Sequence, residues 1–483
     1  MGEKMAVNLR RPILVGGVGL SLSLWLWQSI HHSVAQLGEF GLWGAIALGT
    51  GFWFFQHKPA NPIDLSTVDS PVNREMGEKA IAQAQGIINQ LETEADHQET
   101  LTQLQQQVTQ LTRELDRQEM QLVVTGGKGV GKTHLIQALE SPGLPQQLPS
   151  FSLKEAPVWC GGGDPDFAAQ TPGADLVLFV TAGDLTDTEF QALQQLQTAS
   201  FRVILVFNKQ DQFLPPERGM VLQQLRQRVG GRLSGEDVVA IASCPAPLKV
   251  RQHQSDASVQ EWMERQSPDL TALTERLTQI LVEEGQQLVW RSTIRAAVAL
   301  KATVQRELNQ VRRDRALPII EQYQWVAAAA AFANPVPALD LLATVAISTQ
   351  LVTDLGEIYQ QKFSQANAQA AAKTLGTLML KLGLVELSTQ TIAGILKGNT
   401  FTYVAGGAVQ GVSAAYLTRL AGMSLIEYFQ AQEVREHTVN ERSLNLEQLG
   451  QNLQQVFSIN QRSAFFKDFV KTAVGRLLPV TNN

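Results

Sequence analysis

Residues 120–133 read MQLVVTGGKGVGKT. The first six are a short apolar run of strand length. They pass straight into Gly126, Gly127, Lys128, Gly129, Val130, Gly131, Lys132 and Thr133, which match G-x-x-x-x-G-K-[ST]. A helical stretch follows from His134 to Glu140. A strand before and a helix after are the context this pattern requires. Its glycines let backbone N–H groups converge on phosphate oxygens, and the helix N-terminus adds its dipole. A lysine at the Lys132 position neutralises the β- and γ-phosphates. A hydroxyl at the Thr133 position is placed for Mg²⁺.

Downstream, ADLVLFV at 174–180 and RVILVF at 202–207 are further apolar runs, each followed by a helical pattern. Such runs suit a parallel sheet buried on both faces. The second run ends in Asn208-Lys209-Gln210-Asp211, and DVVAIA at 237–242 leads into Ser243-Cys244. With these residues the chain resembles the Era-like, translation-factor-type GTPases, whose N-K-x-D follows such a strand. The resemblance implies an α/β P-loop fold that binds GTP or GDP with Mg²⁺. Asp211 would accept hydrogen bonds from guanine N1–H and N2–H₂, a donor pair that adenine lacks. Asn208 would brace the loop against the P-loop, and the Lys209 stem would pack on the base. Ser243 and Cys244 stand where a backbone N–H meets guanine O6.

The middle of the pattern departs from that family. Its D-x-x-G is expected after a strand at 156–160 (APVWC), where Gly161-Gly162-Gly163-Asp164-Pro165-Asp166 follows instead. The degenerate motif is placed at Cys160–Gly163. Gln170-Thr171-Pro172-Gly173 resembles D-T-P-G with Gln for Asp, but abuts the next strand and reads as a loop. Asp164 and Asp166 are candidates for a Mg²⁺ contact or plain turn formers. No glutamine stands ready to orient water. Phosphoryl transfer depends on positioning, so the expectation is retained binding with slow or partner-stimulated hydrolysis, and no catalytic residue is assigned.

Upstream, Pro12 to Ile30 and Phe40 to Phe55 carry no charge. Arg10-Arg11 precede the first run and His57-Lys58 follow the second. About 20 apolar residues span a bilayer, and flanking basic residues favour the cytoplasmic side. Residues 1–58 therefore read as a transmembrane helical hairpin, with both ends and all that follows in the cytoplasm. Lys4, Arg10, Arg11 and Ser33-Val34-Ala35 also have the makings of a signal peptide. The second run could be only half inserted. Residues 59–119 read as a proline-punctuated linker and a helical stalk. Leu101, Leu104, Val108, Leu111 and Leu115 form an a/d stripe that suits either a coiled-coil dimer or packing within the chain.

The G domain is bounded at 120–290. Residues 291–430 form a helical domain, and 431–483 a helical tail expected to pack on that domain or the stalk. Arg312, Arg313 and Arg315 precede Pro318 and read as a solvated helix end or a lipid contact. From Trp325 to Gln430 only ten of 106 residues are charged. Helices are expected at 326–333, 338–355, 375–396 and 402–428, with Gly407, Gly411 and Ala415 allowing close approach. Asn334-Pro335-Val336-Pro337-Ala338-Leu339-Asp340 and the helices around it resemble the uncharacterised YcjF-like domain that follows Era-like GTPases. Asp340, Lys381 and Glu386 interrupt the apolar runs, which favours a packed bundle over spanning helices.

The formal net charge of −6 argues against a general nucleic-acid binder. Cys160 and Cys244 allow no disulfide framework or zinc spacing, and His31-His32 lacks ligand partners. The whole reads as a membrane-anchored, partner-coupled GTP switch, with self-association through the stalk or G domain open. The alternatives are a non-hydrolysing scaffold and a dynamin-like membrane remodeller.

Overall fold

The computed structural model describes residues 72–95, 98–141, 150–156, 173–253, 259–333, 337–361, 363–397, 405–433, 446–461 and 464–477. The expected hairpin anchor at 1–58 and the motif expected at Cys160–Gly163 lie outside them. Among the described residues no helix is long and apolar enough to cross a membrane. The described residues divide into two compact units, one spanning residues 61–308 and the other beginning at Asn309.

The first unit is built on a five-stranded parallel sheet. Its strands are β1 (Met120–Gly126), β2 (Phe151–Glu155), β3 (Leu176–Thr181), β4 (Arg202–Phe207) and β5 (Val238–Ala240), in the order β2-β1-β3-β4-β5. Every pairing is parallel. All six residues of β3 and of β4 are buried, as a sheet covered on both faces requires. Leu122, Leu178 and Ile204 face one apolar layer, while Val123, Phe179 and Leu205 face the other. This alternation divides the same strands between two cores. Helices α3 (Lys132–Leu139), α4 (Asp187–Thr198), α5 (Pro215–Val229) and α6 (Thr271–Glu283) belong to this unit. A two-stranded antiparallel hairpin, β6 (Leu248–His253) and β7 (Val259–Glu264), stands between β5 and α6.

Of the strand expected at 156–160, residues 157–160 lie outside the described residues; the strand observed before it is β2, at the sheet edge. Its residues are only half buried or exposed. An edge strand has one neighbour, so it can carry Lys154 and Glu155.

The stalk folds back on itself. Helices α1 (Arg74–Glu94) and α2 (Gln98–Glu114) form a hairpin. Arg74, at the start of α1, pairs with Asp116, just beyond the end of α2. The expected stripe is buried at Leu101, Leu104, Val108 and Leu115. Asn73 caps α1 by accepting the Met76 N–H at 2.9 Å.

At the end of the sheet away from the P-loop, Arg202 donates to Asp237 and Glu284, and Arg276 donates to the same Asp237. Burial opposes the Arg202 charge, but the two carboxylates outweigh it and raise its pKa.

Helix α7 (Gly285–Ala333) is 49 residues long, begins in the first unit and ends in the second. The second unit adds α8 (Pro337–Ile358), α9 (Gln365–Lys381), α10 (Leu384–Lys397), α11 (Ala405–Glu433), α12 (Leu446–Gln461) and α13 (Ala464–Leu477). Ile320, Leu355, Leu375, Ile392, Ala415, Leu425, Leu453 and Val470 share one apolar core. The tail thus packs on the helical domain, with Trp325 stacked on Phe469.

Two expectations are corrected here. The helix expected at 375–396 is two helices, turning at Leu382-Gly383. The arginine trio is no solvated helix end: α7 runs through Pro318. Arg312 is 1% exposed, with its guanidinium over the Tyr359 ring, and Arg313 pairs with Glu427.

Candidate nucleotide site

Two glycines set the shape of the loop after β1. Gly126 has φ +142° and lies so close to β3 that any Cβ would collide with the Val180 carbonyl. Gly131 has φ +93°, and a Cβ there would collide with the Asn208 side-chain nitrogen. No larger residue fits either position. The loop therefore lies flat against β3 at one end and the Asn208 loop at the other. Helix α3 begins directly after it, with Lys132 and Thr133 in its first turn.

Lys132 is 5% exposed. Its Nζ donates to the Gly127 and Gly126 carbonyls at 2.8 and 3.2 Å. Burial pulls its pKa down, and the Glu155 carboxylate partly offsets this. The Thr133 hydroxyl donates to Glu155 Oε2 at 3.1 Å. Glu155 ends the strand that pairs with β1, with Val124 opposite it. Sequence reasoning missed this acid because the half-exposed FSLKE carries no apolar strand pattern. The available signal was an acid at a strand end followed by Ala156-Pro157, which shares its proline position with D-T-P-G.

Asn208, at the end of β4, is 1% exposed and fully engaged. Its Nδ2 donates to the Val130 carbonyl at 2.8 Å and to Ser243 Oγ at 2.9 Å. Its Oδ1 accepts the Ser243 N–H at 3.0 Å. One amide thus clamps the P-loop to the loop after β5. Lys209 takes the left-handed conformation, φ 59°. Its Nζ donates to the Gly129 carbonyl at 2.8 Å. Asp211 Oδ2 accepts the Ala246 N–H at 3.0 Å. Asp211 Oδ1 is buried and has no hydrogen-bond partner among the described residues. Cys244, which follows the buried Ser243 in the chain, is exposed.

The structure therefore brings residues 126–133, 208–211 and 243–244 to the C-terminal ends of β1, β4 and β5. Open α/β sheets bind ligands at that edge. The fit to a nucleotide is chemical as well as topological. A buried carboxylate oxygen left unpaired is costly, and Asp211 Oδ1 is such an oxygen. Thr133 and Glu155 supply two hard oxygen donors near the loop. Mg²⁺ takes one or two protein oxygens and completes its shell with phosphate and water. No cluster of three metal-binding side chains occurs among the described residues.

Residues 295–461 match the family model described as a domain of unknown function, DUF697. No curated protein matches the chain. Among solved structures, it is similar to the LeoA bacterial dynamin GTPase from ETEC. That likeness has 12% identity and a TM-score of 0.27, and covers 84% of this chain and 97% of that one. It is also similar to a chain of an oligomerised bacterial dynamin pair described as sensing and tethering membranes. Here identity is 12% and the TM-score 0.25, over 87% of this chain and 82% of that one. At such TM-scores the likeness carries no weight for the site, whose reading rests on the residues above.

Proposed function

We propose that this chain is a guanine-nucleotide-binding protein that takes GTP or GDP with Mg²⁺ between residues 126–133 and the 208–211 and 243–244 loops. The observation that carries the reading is the unpartnered, buried Asp211 Oδ1, next to an Asn208 clamp that joins all three loops. Asp211 accepts the guanine donors. The backbone of the loop and Lys132 hold the phosphates, and Thr133 with Glu155 holds the metal ion, which supplies charge neutralisation when bound. Within this reading the site is Era-like in its base-reading end and departs from that family at the acid, a glutamate in place of aspartate.

We place the chain at a membrane through its N-terminal apolar runs, with residues 120–290 and the helical domain on the cytoplasmic side. The working cycle is then a slow or partner-stimulated GTPase switch. A second reading, a dynamin-like membrane remodeller, is supported by the long helices that precede and follow the sheet in the chain, α1–α2 before it and α7 after it.

The test is competition for fluorescent GDP by the full chain with Mg²⁺. GTP should compete and ATP should fail. Asp211→Asn should weaken GTP by about tenfold or more and admit xanthosine triphosphate, because the amide now offers the donor that xanthine O2 accepts. Equal competition by ATP, or no effect of Asp211→Asn, overturns the reading.

A further inference from the structure

We propose that the outer edge of β7 is an interface with a second copy of this chain, the two β7 strands pairing antiparallel about a two-fold axis at Trp262. This goes beyond the nucleotide reading and does not depend on it. The β6–β7 hairpin is a two-stranded sheet with no further strand on either edge among the described residues. Leu248, Trp262 and Met263 are 54%, 41% and 60% exposed. The base of the hairpin is nevertheless fixed. Ala242 and Asp269 exchange both backbone hydrogen bonds, Gln210 Nε2 donates to Asp269 Oδ2 at 3.1 Å, and the Ala246 N–H donates to Asp211 Oδ2 at 3.0 Å. Two strands alone are marginal in water, and further strands with a shared apolar face are what stabilise such a hairpin.

Register and charge together select the strand that is added. Residues directly opposite in antiparallel strands share a face, so a two-fold axis through the sheet must set one residue against its own copy. In a six-residue strand the two central residues give the longest overlap. In β6 these are Val250 and Arg251. Centring on Val250 sets Lys249 against Arg251 of the other copy, twice over, and centring on Arg251 sets two arginines face to face. Both registers oppose like charges, which destabilises a pair. In β7 the central residues are Glu261 and Trp262. Centring on Glu261 opposes two glutamates. Centring on Trp262 opposes two indoles, places each Glu261 opposite Met263 of the other copy, and opposes no like charges. An aromatic pair of this kind is stabilising. Glu261 already pairs with Lys249 and Arg251 of its own hairpin, so it brings no unmatched charge to the edge. Val250 lies directly opposite Trp262 within the hairpin, and Leu248 is on the same face two residues along. The joined hairpins therefore carry Leu248, Val250 and Trp262 of both copies on one face of a single antiparallel sheet.

The experiment measures the monomer–dimer constant of the full chain in detergent by sedimentation equilibrium. The unaltered chain should dimerise. Trp262→Lys sets two ammonium groups against each other at the axis and should weaken the dimer by about tenfold or more. Met263 then tests the register. Across the interface it faces Glu261, whereas within its own hairpin it faces Lys249. Met263→Lys should tighten the dimer by about threefold to tenfold through two opposite-charge pairs, although it sets like charges together inside each hairpin. Met263→Glu should weaken the dimer, although it suits the hairpin that carries it. A chain that stays monomeric, a dimer indifferent to Trp262→Lys, or a tighter dimer with Met263→Glu than with Met263→Lys overturns the proposal.

Discussion

In the proposed nucleotide site, Glu155 is the residue whose metal role is most directly testable. It sits at the end of an edge strand with its carboxylate 3.1 Å from the Thr133 hydroxyl. A glutamate is one methylene longer than aspartate, which lets an acid anchored on the strand reach the first turn of α3. Removing its charge while keeping its shape isolates the metal term. Glu155→Gln should therefore lower GTP affinity in Mg²⁺ by about tenfold, toward the value in EDTA. In EDTA itself the variant and the unaltered chain should agree. Titration of both proteins with GTP at several Mg²⁺ concentrations checks this. An unchanged Mg²⁺ dependence would make Glu155 a hydrogen-bond partner of Thr133 and nothing more. Asn208 acts differently, by geometry alone: its three hydrogen bonds fix where the P-loop and the 243–244 loop stand, so it shapes the site without facing the ligand.

At the scale of elements, the α1–α2 hairpin shows what a pattern can and cannot specify. The stripe from Leu101 to Leu115 was legible because its 3-4 spacing puts apolar groups on one helix face. Its partner was not legible, because an apolar stripe is satisfied equally by another chain or by a neighbouring helix. The partner is α1, and the two helices approach closely at Gly77, where a Cβ would lie 2.6 Å from Leu115 Cδ2. Leu115 is 1% exposed, so Leu115→Ala should cost about 2–5 kcal/mol in chemical denaturation. Gly77→Ala should destabilise the unaltered hairpin but cost less when combined with Leu115→Ala, since the methyl then enters vacated space. Strict additivity would show that the two side chains do not share that space. The same limit explains the strands. β3 and β4 were legible because burial on both faces leaves only apolar residues. β2 was not, since FSLKE is half exposed and alternates no apolar face. Pro318 misled for a related reason: Ala316 and Ile320, both fully buried, bind this part of α7 into the helical core. That packing outweighs the backbone hydrogen bond which proline removes.

At the scale of the whole molecule, the chain carries separate apolar cores on one continuous helix. Two cores flank the parallel sheet and draw their residues from Met120 to Val289, while the helical core runs from Ala316 to Ala473. The proposed nucleotide site lies wholly within the first group. A ligand stabilises whatever binds it by RT ln(1 + [L]/Kd), about 2.7 kcal/mol at a hundredfold excess over Kd. Calorimetry of the full chain should accordingly resolve two transitions. GTPγS with Mg²⁺ should raise the one that belongs to residues 61–308 and leave the other in place. Arg202→Met provides the assignment. It removes a guanidinium held by Asp237 and Glu284 at the base of the sheet, leaving both carboxylates with one cation fewer, and so should lower the nucleotide-sensitive transition alone. If GTPγS raised both transitions together, α7 would be transmitting the stabilisation. The 49-residue helix would then be the mechanical link by which nucleotide state reaches the helical domain.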